Sequence, residues 1–166
     1  MNIPAKKLNR ILVVNVNWLG DVIFSIPVFK TLRENYPQAH ICCLAVPRIV
    51  EILQCVPQID DIIVYDEKGK DRSVFAKINI VRQVRQQNFD AVFLLHGSWS
   101  RAFLMFLAGI PIRVGYVSKK KGKFLTHPVV ALGEDVHKAD VYFHLVESFG
   151  LTASDRSSQL QVPQDA

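Results

Sequence analysis

The chain has 166 residues, is 49% hydrophobic and 21% charged, and carries a net charge of +5. That balance fits one globular domain with a real core. No apolar run is long enough to cross a bilayer, and the opening MNIPAKKLNR lacks the apolar stretch of a signal peptide, so the expected compartment is the cytoplasm.

In chain order, RILVVNV (Arg10 to Val16) reads as a buried strand by its short apolar run. A helix is expected from Gly20 to Tyr36, with Pro27 kinking or restarting it. HICCLAV (His40 to Val46) is a second strand, and Pro47 opens a helix that runs to Cys55. DIIVYD (Asp61 to Asp66) is a third strand, and Ser73 to Gln87 an amphipathic helix with basic residues. FDAVFLL (Phe89 to Leu95) is a fourth, followed by a turn and an apolar helix that Gly109 stops. IRVGY (Ile112 to Tyr116) is a fifth strand and HPVVAL (His127 to Leu132) a sixth. A last helix runs to Gly150, and His137 and His144 should share its polar face. Strict alternation of strand and helix predicts an α/β fold: a parallel sheet covered on both faces by right-handed crossovers. The domain should span residues 1–151, and 152–166 should be a linker or tail.

Three cysteines without a C-x-x-C spacing read as buried thiols. The histidines show no metal-ligand spacing and no Asp-x-Asp motif occurs, so no metal and no cofactor are expected. The positive charge favours an anionic partner. It is densest in Ser118 to Lys123, where Lys119, Lys120, Lys121 and Lys123 form either a solvated loop or an anion-binding patch. A nucleic-acid reader is disfavoured for lack of interleaved aromatics or a reader motif.

Two turns carry chemistry, because ligands of α/β sheets bind beyond the carboxyl ends of the strands. The first, NVNWLGD, has neither G-x-G-x-x-G nor G-K-[S/T], so it is no dinucleotide or P-loop site. Its Asp21 stands near a helix N-terminus. It is either a favourable first-turn carboxylate or a general base aimed into the cleft. The second turn gathers His96, Ser98, Trp99, Ser100 and Arg101. Its serines could cap the helix and Arg101 could pair with a carboxylate, but a sugar or phosphate would use the same set.

NWLGDVIFSIPVFKTLRENYPQAHI (Asn17 to Ile41) resembles the start of the bacterial heptosyltransferases, glycosyltransferase family 9. GSWSRAFLMFLAGIPIRVGY (Gly97 to Tyr116) and HKADVYFHLVESFGL (His137 to Leu151) resemble two later segments of that family. The resemblance implies the N-terminal, acceptor-side Rossmann-like half of a two-domain GT-B enzyme. It would be an inverting, metal-independent transferase taking heptose from ADP-heptose to the Kdo or heptose of the lipopolysaccharide inner core. Asp21 would be the base. Asn17, Trp18 and Gly20 would line the donor–acceptor cleft, with Gly20 easing the turn beside Asp21. Ser98, Ser100 and Arg101 would touch acceptor oxygens or phosphates. The lysine run would face anionic headgroups, making the enzyme peripheral at the inner membrane, with a lipid-linked acceptor and no nucleic-acid partner. The family's donor-side motifs do not occur, so ADP-heptose would bind a C-terminal domain that this sequence lacks. The alternative is a non-catalytic sugar-phosphate or nucleotide-binding module using the same cleft.

Overall fold

A computed structural model describes residues 7–118, 120, 122–133 and 135–152. Among these residues six strands form one sheet: β1 (Arg10–Val14), β2 (His40–Ala45), β3 (Asp61–Val64), β4 (Ala91–Leu94), β5 (Ile112–Tyr116) and β6 (His127–Val129). Their spatial order is β3-β2-β1-β4-β5-β6, and every pair is parallel. This is the dinucleotide-fold order, with its reversal between β1 and β4. The expected α/β parallel sheet is thus found. The sixth strand is shorter than expected: Val130 and Leu132 leave the sheet and are exposed.

Among the described residues five helices cover the sheet: α1 (Leu19–Asn35), α2 (Val50–Gln54), α3 (Val74–Gln86), α4 (Trp99–Leu107) and α5 (Lys138–Ser148). Side chains alternate along each strand, so two cores form. On one face Ile11, Val13, Ile41, Cys43, Ala91 and Phe93 pack with α1 and α5. On the other Leu12, Val14, Cys42, Leu44, Val92 and Leu94 pack with α3 and α4. Cys42 and Cys43 are buried free thiols, one in each core.

Three local expectations change. Pro27 does not restart a helix: α1 runs unbroken from Leu19 to Asn35. Residues Ser25 to Phe29 are all buried, and Ser25 Oγ and Thr31 Oγ1 donate to Val22 O and Pro27 O. Tertiary packing on both sides of α1 therefore overrides the lost N–H of the proline. The segment opened by Pro47 begins as a 3₁₀ turn, Pro47–Ile49, before the short α2. His137 is not on the helical face with His144. It is the N-cap of α5, with extended backbone, and its Nδ1 accepts from the Ala139 N–H at 3.2 Å. An acceptor at that position satisfies one of the helix's orphan donors.

Candidate functional site

The strand order reverses between β1 and β4, and the two turns singled out from the sequence meet there. The Asn17 side-chain amide and His96 Nε2 lie 3.1 Å apart across this switch point. His96 Nδ1 accepts from the Ser98 N–H at 3.0 Å. A neutral ring with Nδ1 so occupied carries its proton on Nε2 and needs an acceptor there. As placed, the Asn17 atom nearest Nε2 is Nδ2 and its Oδ1 has no partner, so turning the amide end for end brings the oxygen onto the Nε2 proton.

Ser98 is the N-cap residue of α4, but its hydroxyl makes no cap bond. Ser98 Oγ and Ser100 Oγ are 2.7 Å apart, and Ser100 Oγ donates to the Glu67 carboxylate. A hydroxyl has one proton, so Ser98 donates to Ser100 and the order runs toward Glu67. The other Glu67 oxygen accepts from Arg101 Nε at 3.3 Å. Arg101 Nη1 donates to Asn15 O at 3.2 Å. Arg101 is only 2% exposed. Burial lowers its pKa and the Glu67 carboxylate works against that shift, so the pair keeps the guanidinium charged inside the fold.

A polar pocket of about 350 Å³ opens over this network, floored by Asn17, His96, Ser98 and Arg101. Arg48, Asp66, Glu67, Lys68, Arg72 and Lys77 form its wall. The loop after β3 delivers most of that wall as a tight turn. Asp66 N–H bonds Asp71 Oδ2 at 2.8 Å, and Gly69 N–H bonds Asp66 O and Oδ1, both at 3.1 Å. A Cβ on Gly69 would sit 2.0 Å from Asp66 Oδ2, so any larger residue there would push the Asp66 carboxylate out of this turn. The cations outnumber the two carboxylates, so the pocket suits an oxygen-rich, anionic ligand.

The remaining expected residues are spread along the same crest. Trp18 is 68% exposed at the N-cap of α1, with the Arg48 guanidinium 4.9 Å from its ring centre. Gly20 lies inside the first turn of α1 and not in the left-handed region. A Cβ there would meet nothing within 4 Å, so the turn itself does not call for glycine. Asp21 is the third residue of α1 and half-buried. Among the described residues no hydrogen bond or salt bridge occupies its carboxylate. It lies outside the lining of the polar pocket, toward α5. Burial, and secondarily the charge of Asp21, push the Tyr142 phenol up to about 12. Lys120 and Lys123 are exposed away from the pocket, while Lys119 and Lys121 lie outside the described residues.

Sequence reasoning missed Arg48, Asp66, Glu67, Lys68, Arg72 and Lys77. For Asp66, Glu67 and Lys68 the signal was present: DEKGKD begins one residue after β3, at the same carboxyl end of the sheet as the two turns that were singled out.

Residues 78–165, just over half the chain, match the profile of glycosyltransferase family 9 (heptosyltransferase). The chain belongs to that family. Lipopolysaccharide heptosyltransferase 2 of Escherichia coli K12 is 28% identical over 107 residues, covering 64% of this chain and 31% of that protein. Lipopolysaccharide heptosyltransferase 3 of the same strain is 32% identical over 90 residues, covering 52% and 26%. A crystal structure of a family 9 glycosyltransferase from Veillonella parvula superposes with a TM-score of 0.86 at 26% identity, over 99% of this chain and 48% of that one. The E. coli ADP-heptose lps heptosyltransferase II structure shares the fold, with a TM-score of 0.73 at 24% identity. The match thus spans between a quarter and a third of these curated relatives and about half of each solved chain. The fold is that of the N-terminal half of a GT-B heptosyltransferase.

Proposed function

We propose that this chain is the acceptor-binding half of a heptosyltransferase that moves heptose from ADP-heptose to the Kdo or heptose of the lipopolysaccharide inner core, with inversion and without a metal ion. The observation that carries the proposal is the polar, net-cationic pocket at the β1–β4 switch point of a family 9 fold. Inner-core sugars are rich in hydroxyls and bear carboxylate or phosphate groups. Ser98 and Asn17 suit the hydroxyls, and Lys68, Arg72 and Arg48 the anions. Arg101 acts from below, holding Glu67 and through it Ser100 in place.

Asp21 is the proposed base. As the acceptor oxygen bonds to the anomeric carbon, the carboxylate takes the hydroxyl proton, and ADP leaves with the electron pair of the broken C–O bond. A placed base of this kind contributes roughly a hundredfold or more. The Asp21 carboxylate also stabilises an oxocarbenium-like transition state. Gly20 and Trp18 border the cleft beside it. The donor is held by the other half of the enzyme. An E. coli heptosyltransferase whose structure carries ADP-2-deoxy-2-fluoro heptose has this fold, at a TM-score of 0.73 over 86% of this chain. Peripheral binding at the cytoplasmic side of the inner membrane, helped by Lys119, Lys120, Lys121 and Lys123, completes the reading; each basic residue near such a surface is worth about 1 kcal/mol.

The test is titration of a soluble inner-core fragment bearing Kdo into this chain. Binding should weaken with salt and in Lys68→Gln/Arg72→Gln. No binding, or equal binding by that variant, overturns the acceptor assignment.

A further inference from the structure

Among the described residues, the face of the sheet opposite α1 and α5 is covered by α3 and α4, and a groove of about 500 Å³ runs between these two helices. Its lining begins at the crest with Val74, Trp99 and Ser100 and ends at Arg85 and Leu107. Helix α3 has two apolar stripes. Ile80 and Val84 face the core, whereas Val74 and Ile78 line the groove and are 70% and 42% exposed. Phe75 beside them is 81% exposed, and α4 adds Trp99, Phe106 and Leu107 at 44–50%. Scattered exposed apolar residues are ordinary, but two adjacent helices contributing to one groove make a patch.

The charges on this patch have one sign. Lys77, Arg82 and Arg85 line the groove, and neither α3 nor α4 contains an acidic residue. The Phe124 ring packs 5.1 Å from Phe103 and 5.8 Å from Phe106, which brings the exposed Lys123 to the same face. Exposed aliphatic and aromatic side chains flanked by cations suit a surface that lies in a headgroup layer. A second copy fits poorly, because two such faces would oppose like charges, and protein interfaces deplete charge at their centres.

We infer that the α3–α4 face docks on an anionic phospholipid bilayer. Val74, Phe75, Ile78, Trp99, Phe106 and Leu107 enter the headgroup–acyl boundary, while Lys77, Arg82 and Arg85 meet lipid phosphates. The geometry gives this a use. Lys77 lines both the groove and the polar pocket, and Ser100 lines the groove while bonding Glu67. The docked face therefore opens onto the acceptor pocket, as a lipid-linked acceptor requires. That use rests on the functional reading above, but the docking is measured separately.

The test is partition of the protein onto phosphatidylethanolamine vesicles with and without phosphatidylglycerol. The altered side chains are exposed, so the variants should keep the wild-type melting temperature. Arg82→Gln/Arg85→Gln should lower binding to the anionic vesicles on the order of twentyfold at low salt. Phe75→Ser/Ile78→Ser should lower it about tenfold or more even at high salt. Equal partition of both variants and wild type overturns the inference. So does a concentration-dependent dimer that Phe75→Ser/Ile78→Ser makes monomeric without any vesicle binding, which would give the face to a second copy. Heptosyl transfer to a soluble, delipidated acceptor, measured in the chain joined to a donor domain, should be unchanged in Phe75→Ser/Ile78→Ser. Loss of vesicle binding by wild type with that transfer intact would sink the docking and leave the functional reading standing.

Discussion

Asp21 and Arg101 stand within the same crest and illustrate opposite states of a charged side chain. Asp21 is half-buried, and among the described residues its carboxylate makes no hydrogen bond or salt bridge. As the third residue of α1 it could have closed a capping box with the Trp18 N–H, and it does not. Its replacement by Asn, in the chain joined to a donor domain, should lower kcat by roughly a hundredfold or more and leave donor affinity nearly unchanged. If it were only a first-turn carboxylate, kcat would hold and stability would fall by about 0.3–1 kcal/mol. Arg101, by contrast, is committed to Glu67 and Asn15 O. Removing Glu67 strands a buried cation, so Glu67→Ala should cost about 3 kcal/mol in denaturant unfolding. Arg101→Met/Glu67→Leu should recover most of that loss, because the double change removes both charges. Equal costs for the single and double variants would show that the pair is not coupled.

At the scale of elements, the start of β2 is fastened to the end of α1 by one carboxylate. Asp60 Oδ2 accepts from the Ile41 N–H and from Arg33 Nη2, both at 2.7 Å. Burial alone would raise the Asp60 pKa, but the Ile41 N–H and Arg33 prevail and hold it below the ordinary carboxylate value. A carboxyl lowered in the fold stabilises above its unfolded pKa, and that stability is lost as pH falls through the folded value. Asp60→Asn should therefore be less stable than wild type at neutral pH, and the difference should close in acid below the usual carboxylate range. The Asp60 side chain is 38% exposed, so screening limits the effect to about 0.5–1 kcal/mol. Thermal melts of both proteins across that range check it. A gap that persists at low pH would mean that shape, not charge, is lost.

Taken whole, the molecule is a sheet with a core on each side, and each core is completed by its own helices. That arrangement predicts that this chain folds cooperatively by itself, with coincident circular dichroism and fluorescence transitions. Its length is about half that of the solved family members it superposes on. Purified alone, it should show negligible transfer from ADP-heptose. Clear turnover by this chain would overturn the division of labour between two halves.

Much was legible in the sequence because it is written locally. The apolar runs at Ile11–Val14, Ile41–Ala45 and Ala91–Leu94 are too short for helices and read as buried strands, and their alternation with helices points to a parallel sheet. The same reading found both crest turns, since the carboxyl ends of the strands follow from that alternation. Tertiary structure decided the rest. It carried α1 through Pro27, because burial on both sides outweighs one missing hydrogen bond. It turned Arg101 inward and made Glu67, 34 residues earlier in the chain, the centre of the site, because a buried guanidinium needs a carboxylate that no local pattern specifies. It also gathered the third βα loop over the switch point, and it laid the cations of α3 beside the aromatics of α4. Each of these depends on which elements become neighbours in space, and that is settled by the packing of the whole sheet.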